Sequence, residues 1–560
     1  MKQGVTPSEV QLSRRRALQL AAATGTGLAA AAATTGSASA TPPGRRSPVF
    51  GHGVASGDPL PRSVVLWTRV TPTPAATPGS GQGPAADVEW EVAADPGFRR
   101  IVRRGSVRTG PARDHTVKVD ADGLSPATGY WYRFRCAGAL SAVGRTRTAP
   151  AADATVPRLR MAVVSCANLQ AGWFTAYRHL AARSDLDLVV HLGDYLYEYA
   201  PGEYQARDVV VRPHDPATEI VSLSDYRRRH AQYKTDPDLQ ALHAVAPWVV
   251  TWDDHESAND AWSGGAENHT EGAEGAWRAR RAAAQQAYAE WMPVRYEAGG
   301  QLYRRLRFGR LASLSMLDLR SHRDQQASSP VDPALDDPSR TIAGPEQLQF
   351  LLDGLADQQV QWKLVGNPVM IAPVRFPSGL ESRAAEGVAA LVDLPVPPVA
   401  GVPYNVDQWD GYPAERAAVL GHLRDRGIRD AVFLTGDIHS GWANELPADP
   451  STYPLTGDSV GVELVCTSVT SDNLDDILGT PPRTASAAVE TAVKVNNPHV
   501  KYLDFDSHGF SVLELTEAGA QMDWFVLTDR TDPRAAAVWS TSWRVPAGSS
   551  RVERAAGRLR

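Results

Sequence analysis

The sequence predicts an α/β protein in two parts, an all-β amino-terminal unit followed by a larger body in which buried strands alternate with helices. Two observations carry this. Over residues 48–149, short apolar or alternating runs are broken by turn residues with no convincing helical stretch; from about residue 158 the runs become continuously apolar and helical segments fall between them. A linker, Ala149-Pro150-Ala151-Ala152-Asp153-Ala154, separates the two textures. A chain of 560 residues also exceeds what one compact core supports.

The elements follow in order. Ser13-Arg14-Arg15-Arg16-Ala17-Leu18 precedes a weakly apolar Ala/Gly stretch and then Ser37-Ala38-Ser39-Ala40. This pattern is that of a twin-arginine signal over residues 1–40, cleaved after Ala40, with 41–47 as linker. A packed helix is disfavoured there by Thr24-Gly25-Thr26-Gly27. The twin-arginine export machinery is therefore an expected partner, and the mature chain is expected outside the cell with no transmembrane segment.

Within 48–149, Val64–Val70 is β-branched and mostly apolar, Val88–Val92 alternates strictly, and Tyr130–Arg135 follows a turn at Gly123-Leu124-Ser125-Pro126. These strands predict a sandwich of fibronectin or immunoglobulin type. The body, 158–545, opens on the apolar runs Arg160–Val164, Leu186–Val190, Trp248–Trp252, Lys363–Val365 and Ala431–Thr435, which ask for helices on both sheet faces. Gly275–Met292 reads as one such helix and Pro345 starts another. Phe510–Leu515 and Met522–Leu527 add antiparallel strands, Gly366–Asp410 reads as a proline-rich rim, and 546–560 as a tail.

Composition narrows the function. With 57 basic and 63 acidic residues the formal charge is −6, so no nucleic-acid-binding module is expected. A hydrophobic fraction of 43% excludes a disordered chain. Only Cys136, Cys166 and Cys466 occur, too few for a disulfide scaffold.

The chemistry lies where apolar strands stop. Four end in polar clusters: Ser165-Cys166-Ala167-Asn168, Gly193-Asp194-Tyr195-Leu196-Tyr197-Glu198, Asp253-Asp254-His255-Glu256 and Gly436-Asp437-Ile438-His439. In a layered α/β protein the carboxyl ends of strands line one crevice, so the four clusters can converge.

Together and in this order the clusters resemble the blocks of the calcineurin-like metallophosphoesterases, and most closely the PhoD-type alkaline phosphatase branch, which includes secreted actinobacterial metal-dependent phospholipase D enzymes. The likeness spans nearly the whole chain, including the export signal, Trp252–His255 and Thr467–Asn473. It implies a fibronectin/immunoglobulin-like β-sandwich followed by a four-layer αββα metallophosphoesterase sandwich. It also implies a two-metal site. Cys166, Asp194, Tyr197 and His439 would hold one ion, Asp194 would bridge, and Asp254, Asn367 and Asp437 would complete the second. Three positions depart from the wider superfamily: Cys166 replaces an Asp, Asn367 a His, and Asp437-Ile438-His439 the two-His last block.

That ligand set speaks to the ions. Thiolate, phenolate and carboxylate beside an imidazole favour ferric iron, whereas the all-oxygen second set suits calcium, with magnesium or manganese as alternatives. His255 is expected outside the metal sphere, as a phosphate contact or proton donor to the leaving oxygen. Asn168 is expected to touch a phosphate oxygen. Tyr195 reads as packing, Asp253 as support for the ligands, Arg320 as a loop brace, and His179 as structural; His499, Asp506 and His508 are candidates for the vicinity only. The expected activity is hydrolysis of phosphomonoesters or phosphodiesters by a secreted enzyme. Phospholipase D action on phospholipid head groups by the same centre is the alternative, without the His-x-Lys pattern of the other phospholipase D superfamily. An inactive cell-surface binding protein is the rival from another class. Cys136 and Cys466 remain as a possible inter-domain pair or two free thiols.

Overall fold

The computed structural model describes residues 48–206, 209–392, 394 and 396–560. The expected signal and linker lie outside the described residues.

Two sheets form the body. In the first, of ten strands, Leu159–Val164, Leu188–His191 and Trp248–Val250 run parallel, and Gly509–Thr516, Gly519–Leu527 and Ala537–Pro546 extend it antiparallel beside Leu159–Val164. In the second, of seven strands, Ala312–Met316, Trp362–Asn367, Ala431–Thr435 and Gly461–Val465 are parallel neighbours. Strand alternation sorts side chains between layers. Met161 and Val163 point into the core between the sheets with Leu314, Leu364, Val432 and Leu464. Ala162 and Val164 point the other way, onto the helices Thr175–Ala181, Leu223–Lys234, Pro237–His243 and Trp277–Trp291. Val365 and Phe433 do the same on the far side, beneath Pro345–Leu355, Pro413–Asp425 and Ala485–Asn496. Each fully buried Val, Leu or Met contributes roughly 1.5–3 kcal/mol, which is why both faces of the central strands are apolar. The result is the expected αββα order.

The amino-terminal strands pack face to face around Val64, Leu66, Val88, Val92, Tyr132 and Phe134. One of their sheets is not separate. Val54–Leu60, Ser63–Arg69 and Thr116–Ala121 continue the ten-stranded sheet, because Gly57 pairs in parallel with Trp248. Glycine is required at this seam, since a Cβ at position 57 would lie 1.8 Å from the Pro293 carbonyl oxygen. The other sheet holds Ala86–Ala93, Ile101–Thr109 and Gly129–Cys136, with Ala139–Leu140 and Gly144–Arg147 beside the last.

Two expectations need correction. The 366–410 rim contains a helix, Ser382–Leu391, whose Val388 and Leu391 enter the core. Residues 546–560 are no tail: Glu553–Arg554 pairs with Ala537–Pro546, Val552 is buried, and Leu559 N–H donates to Asp523. Of the two alternatives for Cys136 and Cys466, the structure has the two free thiols and not the pair. All three cysteines are free, with Cys136 in the amino-terminal core and Cys466 between the two main sheets.

Candidate metal centre

Parallel strands bring their carboxyl ends to one place, and the chain turns sharply there. Cys166 (φ 59°), Asp194 (φ 56°), Asp437 (φ 62°) and His439 (φ 53°) all adopt the left-handed conformation that residues with a Cβ disfavour. Four of the seven expected ligands thus sit on strained backbone, a cost of about 1–3 kcal/mol each that structures concentrate at functional sites. Gly193, just before Asp194, has a φ of 112°. A Cβ there would approach the Asp253 Cβ to 2.5 Å, so the Asp194 turn passes directly against the Asp253-Asp254 turn.

The turns assemble two groups of donor atoms. Ligand atoms of Cys166, Asp194 and His439 lie within 4.8 Å of one another, as do those of Asp194, Asp254 and His255, all buried. Asp194 belongs to both. Tyr197 joins the first group, its Oη donating to Asp194 Oδ2 at 3.0 Å and lying 3.4 Å from His439 Nε2. Ser471 Oγ donates to the same Tyr197 oxygen at 2.6 Å. His439 Nδ1 lies 2.9 Å from the Asp472 carbonyl oxygen, which fixes its proton there and leaves Nε2 for the centre.

These residues fit a metal ion. The Asp194 Oδ1 atom is buried with no hydrogen-bond partner among the described residues. Burial and the neighbouring charges of Asp254, Asp253 and Glu256 push the Asp194 carboxyl well above its ordinary range, against the pull of His255. Burial, then Asp194, pushes the Cys166 thiol up as well. Asp437 is raised to about 6 by burial, with Asp407 and Asp254 adding to it and Arg320 opposing. Acids crowded this way relax when a cation binds them.

Residues 161–524 match the PhoD-like phosphatase family, and residues 35–150 match that family's amino-terminal domain. The chain belongs to the PhoD-like phosphatase family. Alkaline phosphatase D of Bacillus subtilis (strain 168) is 40% identical over 497 residues, covering 87% of this chain and 79% of that protein. A solved structure of PhoD is 37% identical with a TM-score of 0.80, covering 92% of this chain and 94% of that one. The chain is accordingly an enzyme, a phosphoesterase of the alkaline phosphatase D type.

In this PhoD-like phosphatase the expected site residues are not all placed alike. Asn168 caps a short turn, Oδ1 accepting from Gln170 N at 3.2 Å and Nδ2 donating to the Tyr204 carbonyl at 2.7 Å. Asn367 accepts from Trp409 Nε1 at 3.0 Å and donates to the Val369 carbonyl. Asp437 Oδ2 accepts from Gln408 Nε2 at 2.7 Å. His255 was expected apart from the metal ligands, yet its ring shares the second donor group with Asp194 and Asp254. Its Nδ1 lies 2.8 Å from Glu198 Oε2, so Nε2 is the atom left for chemistry. Burial disfavours the imidazolium, but Asp254, Glu198 and Asp194 outweigh it and hold its pKa well above the ordinary value.

Two carboxylates were missed, although both stand in the motifs. Glu198 Oε1 accepts from Asn259 N and Asn268 Nδ2 at 2.8 Å each while Oε2 holds His255. Glu256 ties two turns together: Oε2 accepts from Asp194 N and Asp253 N, and Oε1 from Tyr195 N. Arg320 braces more than a loop, since it binds Asp253 through two nitrogens, reaches Asp407 at 3.0 Å and lies 3.9 Å from Asp254. His179 bonds the Ala535 carbonyl, and His499, Asp506 and His508 join neither donor group, though His508 lies 2.9 Å from the Ser471 carbonyl.

Proposed function

We propose that this phosphatase hydrolyses phosphate esters at a two-cation centre built around Asp194. The observation that carries the reading is Asp194 itself, common to both donor groups and with one oxygen unpartnered. Cys166, Tyr197 and His439 complete a set with three anionic donors, which suits ferric iron. Asp254, Asn367 and Asp437 complete an all-oxygen set, which suits calcium, or magnesium or manganese in its place.

Cations held by these residues supply positive charge to a bound phosphate and acidify a water beside it. The chain's own residues do the rest. Glu198 keeps the His255 ring oriented through Nδ1, so that Nε2 presents a proton to the leaving oxygen. Arg320 binds Asp253, and its positive charge beside Asp254 holds that carboxyl low against burial, keeping it ionised as a ligand. Asn168 is assigned to the loop beneath the centre rather than to the phosphate, because both ends of its amide are engaged there.

The substrates we assign are phosphomonoesters and phosphodiesters, with phospholipid head groups as the alternative. Export by the twin-arginine route rests on the Ser13–Leu18 motif and places the enzyme outside the cell. No helix among the described residues is long and apolar enough to cross a membrane.

The test is a substrate panel of p-nitrophenyl phosphate, its bis ester and phosphatidylcholine, with and without added calcium, on protein of known metal content. Turnover of the first two, stimulated by calcium, supports the reading; no turnover of any overturns it. Iron with a visible charge-transfer band that Cys166→Ala alters supports the first cation, whereas stoichiometric zinc without iron contradicts it.

A further inference from the structure

Lys234 ends the helix Leu223–Lys234 with its side chain inside the protein, only 1% exposed. Among the described residues no carboxylate lies within ion-pair distance of its amine. Nζ is 3.1 Å from His243 Nε2, 4.7 Å from the centre of the Trp67 ring and 5.0 Å from that of Tyr195. Burial alone pushes the amine well below its ordinary pKa. An amine in such a place is costly whether charged or neutral, and an unbranched apolar methionine, one heavy atom shorter, would avoid that cost. Something other than stability accounts for it.

The surroundings say what. Tyr195 Oη lies 2.9 Å from the same His243 Nε2, so Tyr195 and Lys234 converge on one ring nitrogen. The His243 ring is itself fixed, stacked 4.0 Å from Trp248. Tyr195 follows Asp194 directly and precedes Tyr197 by two residues. The turn that carries both of these ligands is therefore held on two sides. Glu256 takes its backbone N–H groups, and the Tyr195 ring anchors it in the core. Trp67, above the amine, lies on the amino-terminal strand Ser63–Arg69 and donates from Nε1 to the Glu290 carbonyl at 2.8 Å. The amino-terminal unit thereby packs against the Lys234 amine through the Trp67 ring.

We propose that Lys234 is a positioning residue for the metal centre: with His243 it clamps Tyr195 and so sets the turn bearing Asp194 and Tyr197. The inference rests on the two-cation reading for its effect on activity, but its effect on the turn does not. Lys234 touches neither substrate nor cation and acts only through Tyr195.

Two variants test it, Lys234→Met and Tyr195→Phe; the second removes one hydroxyl and remains informative if the first folds poorly. In chelated protein, the amides of residues 194 and 195 are expected to exchange with deuterium at least about tenfold faster than in the wild type, with global unfolding unchanged or, for Lys234→Met, shifted to higher temperature. In loaded protein, cation affinity and kcat are each expected to fall about tenfold while KM moves less than about threefold, in the range seen when outer supports of metal ligands are removed. Exchange and cation affinity within twofold of wild type in both variants would overturn the proposal. So would activity that falls only in proportion to the unfolded fraction. The cation content of the wild type, measured alongside, tests the two-cation reading separately: a shortfall there with faster exchange in the variants refutes that reading and leaves the clamp standing.

Discussion

Glu256→Gln is a small change in shape with a large expected effect. The carboxylate is fully buried and accepts three backbone N–H groups, from Asp194 at 3.1 Å and Asp253 at 2.9 Å on one oxygen and from Tyr195 at 2.7 Å on the other. A glutamine oxygen can replace the first of these oxygens and keep two bonds. Its amide then faces the Tyr195 N–H, donor against donor. Leaving that buried N–H unsatisfied costs about 1–3 kcal/mol, and the reverse orientation of the amide costs more because two donors are orphaned. The same carboxylate ties the Asp194 turn to the Asp253-Asp254 turn, so both donor groups lose their spacing together and cation affinity is expected to fall about 10- to 100-fold. The assay is urea unfolding of chelated protein, then cation titration, both at pH 8. Burial raises the Glu256 carboxyl to about 7, so the wild-type group is ionised at that pH. A variant within about 0.5 kcal/mol of wild type, binding cations equally well, would refute the reasoning.

Other outcomes follow from the same geometry. Glu198→Gln weakens the support of His255 while leaving every expected ligand in place; kcat should drop about 10- to 100-fold at unchanged cation content, and an unchanged kcat would remove His255 from the chemistry. Gly193→Ala places a Cβ 2.5 Å from the Asp253 Cβ at a φ of 112°, so it should destabilise by more than about 1 kcal/mol and lower cation binding, as thermal melts and titration will report. Chelation should cost more stability as pH rises. Asp437 is raised to about 6 and Asp253 to about 7, burial being the main cause in each. Their protonation favours the metal-free fold fully below about pH 4, and that benefit is lost as pH climbs through 6 to 7. The gap in melting temperature between loaded and chelated protein should therefore widen from pH 5 to 7.5, and a constant gap contradicts the crowding of acids.

Much of this architecture is legible in the residues themselves. Arg160–Val164 and Ala431–Thr435 read as buried strands because both of their faces meet apolar layers, and the polar clusters that end them mark the crevice. What escapes is whatever depends on backbone brought together from afar. The seam at Gly57 and Trp248 is a main-chain pairing with no side-chain signature, so the amino-terminal unit looks more separate than it is. Glu198 and Glu256 stand inside the motifs, but their tasks appear only once N–H groups from other turns are aimed at them. The left-handed backbone of Cys166, Asp194, Asp437 and His439 is hidden because no glycine or asparagine announces it. Glu553–Arg554 is too short and polar to read as a strand, and Ser382–Leu391 is masked by the prolines around it.

The most direct test of the two-cation account is the metal content and turnover of Asp194→Asn beside the wild type. Asp194 alone belongs to both donor groups. The wild type should hold two cations per chain and hydrolyse p-nitrophenyl phosphate, and the variant should lose affinity for both cations together with turnover. A variant that keeps either cation at wild-type affinity, or that still turns over at the wild-type rate, would contradict the shared centre.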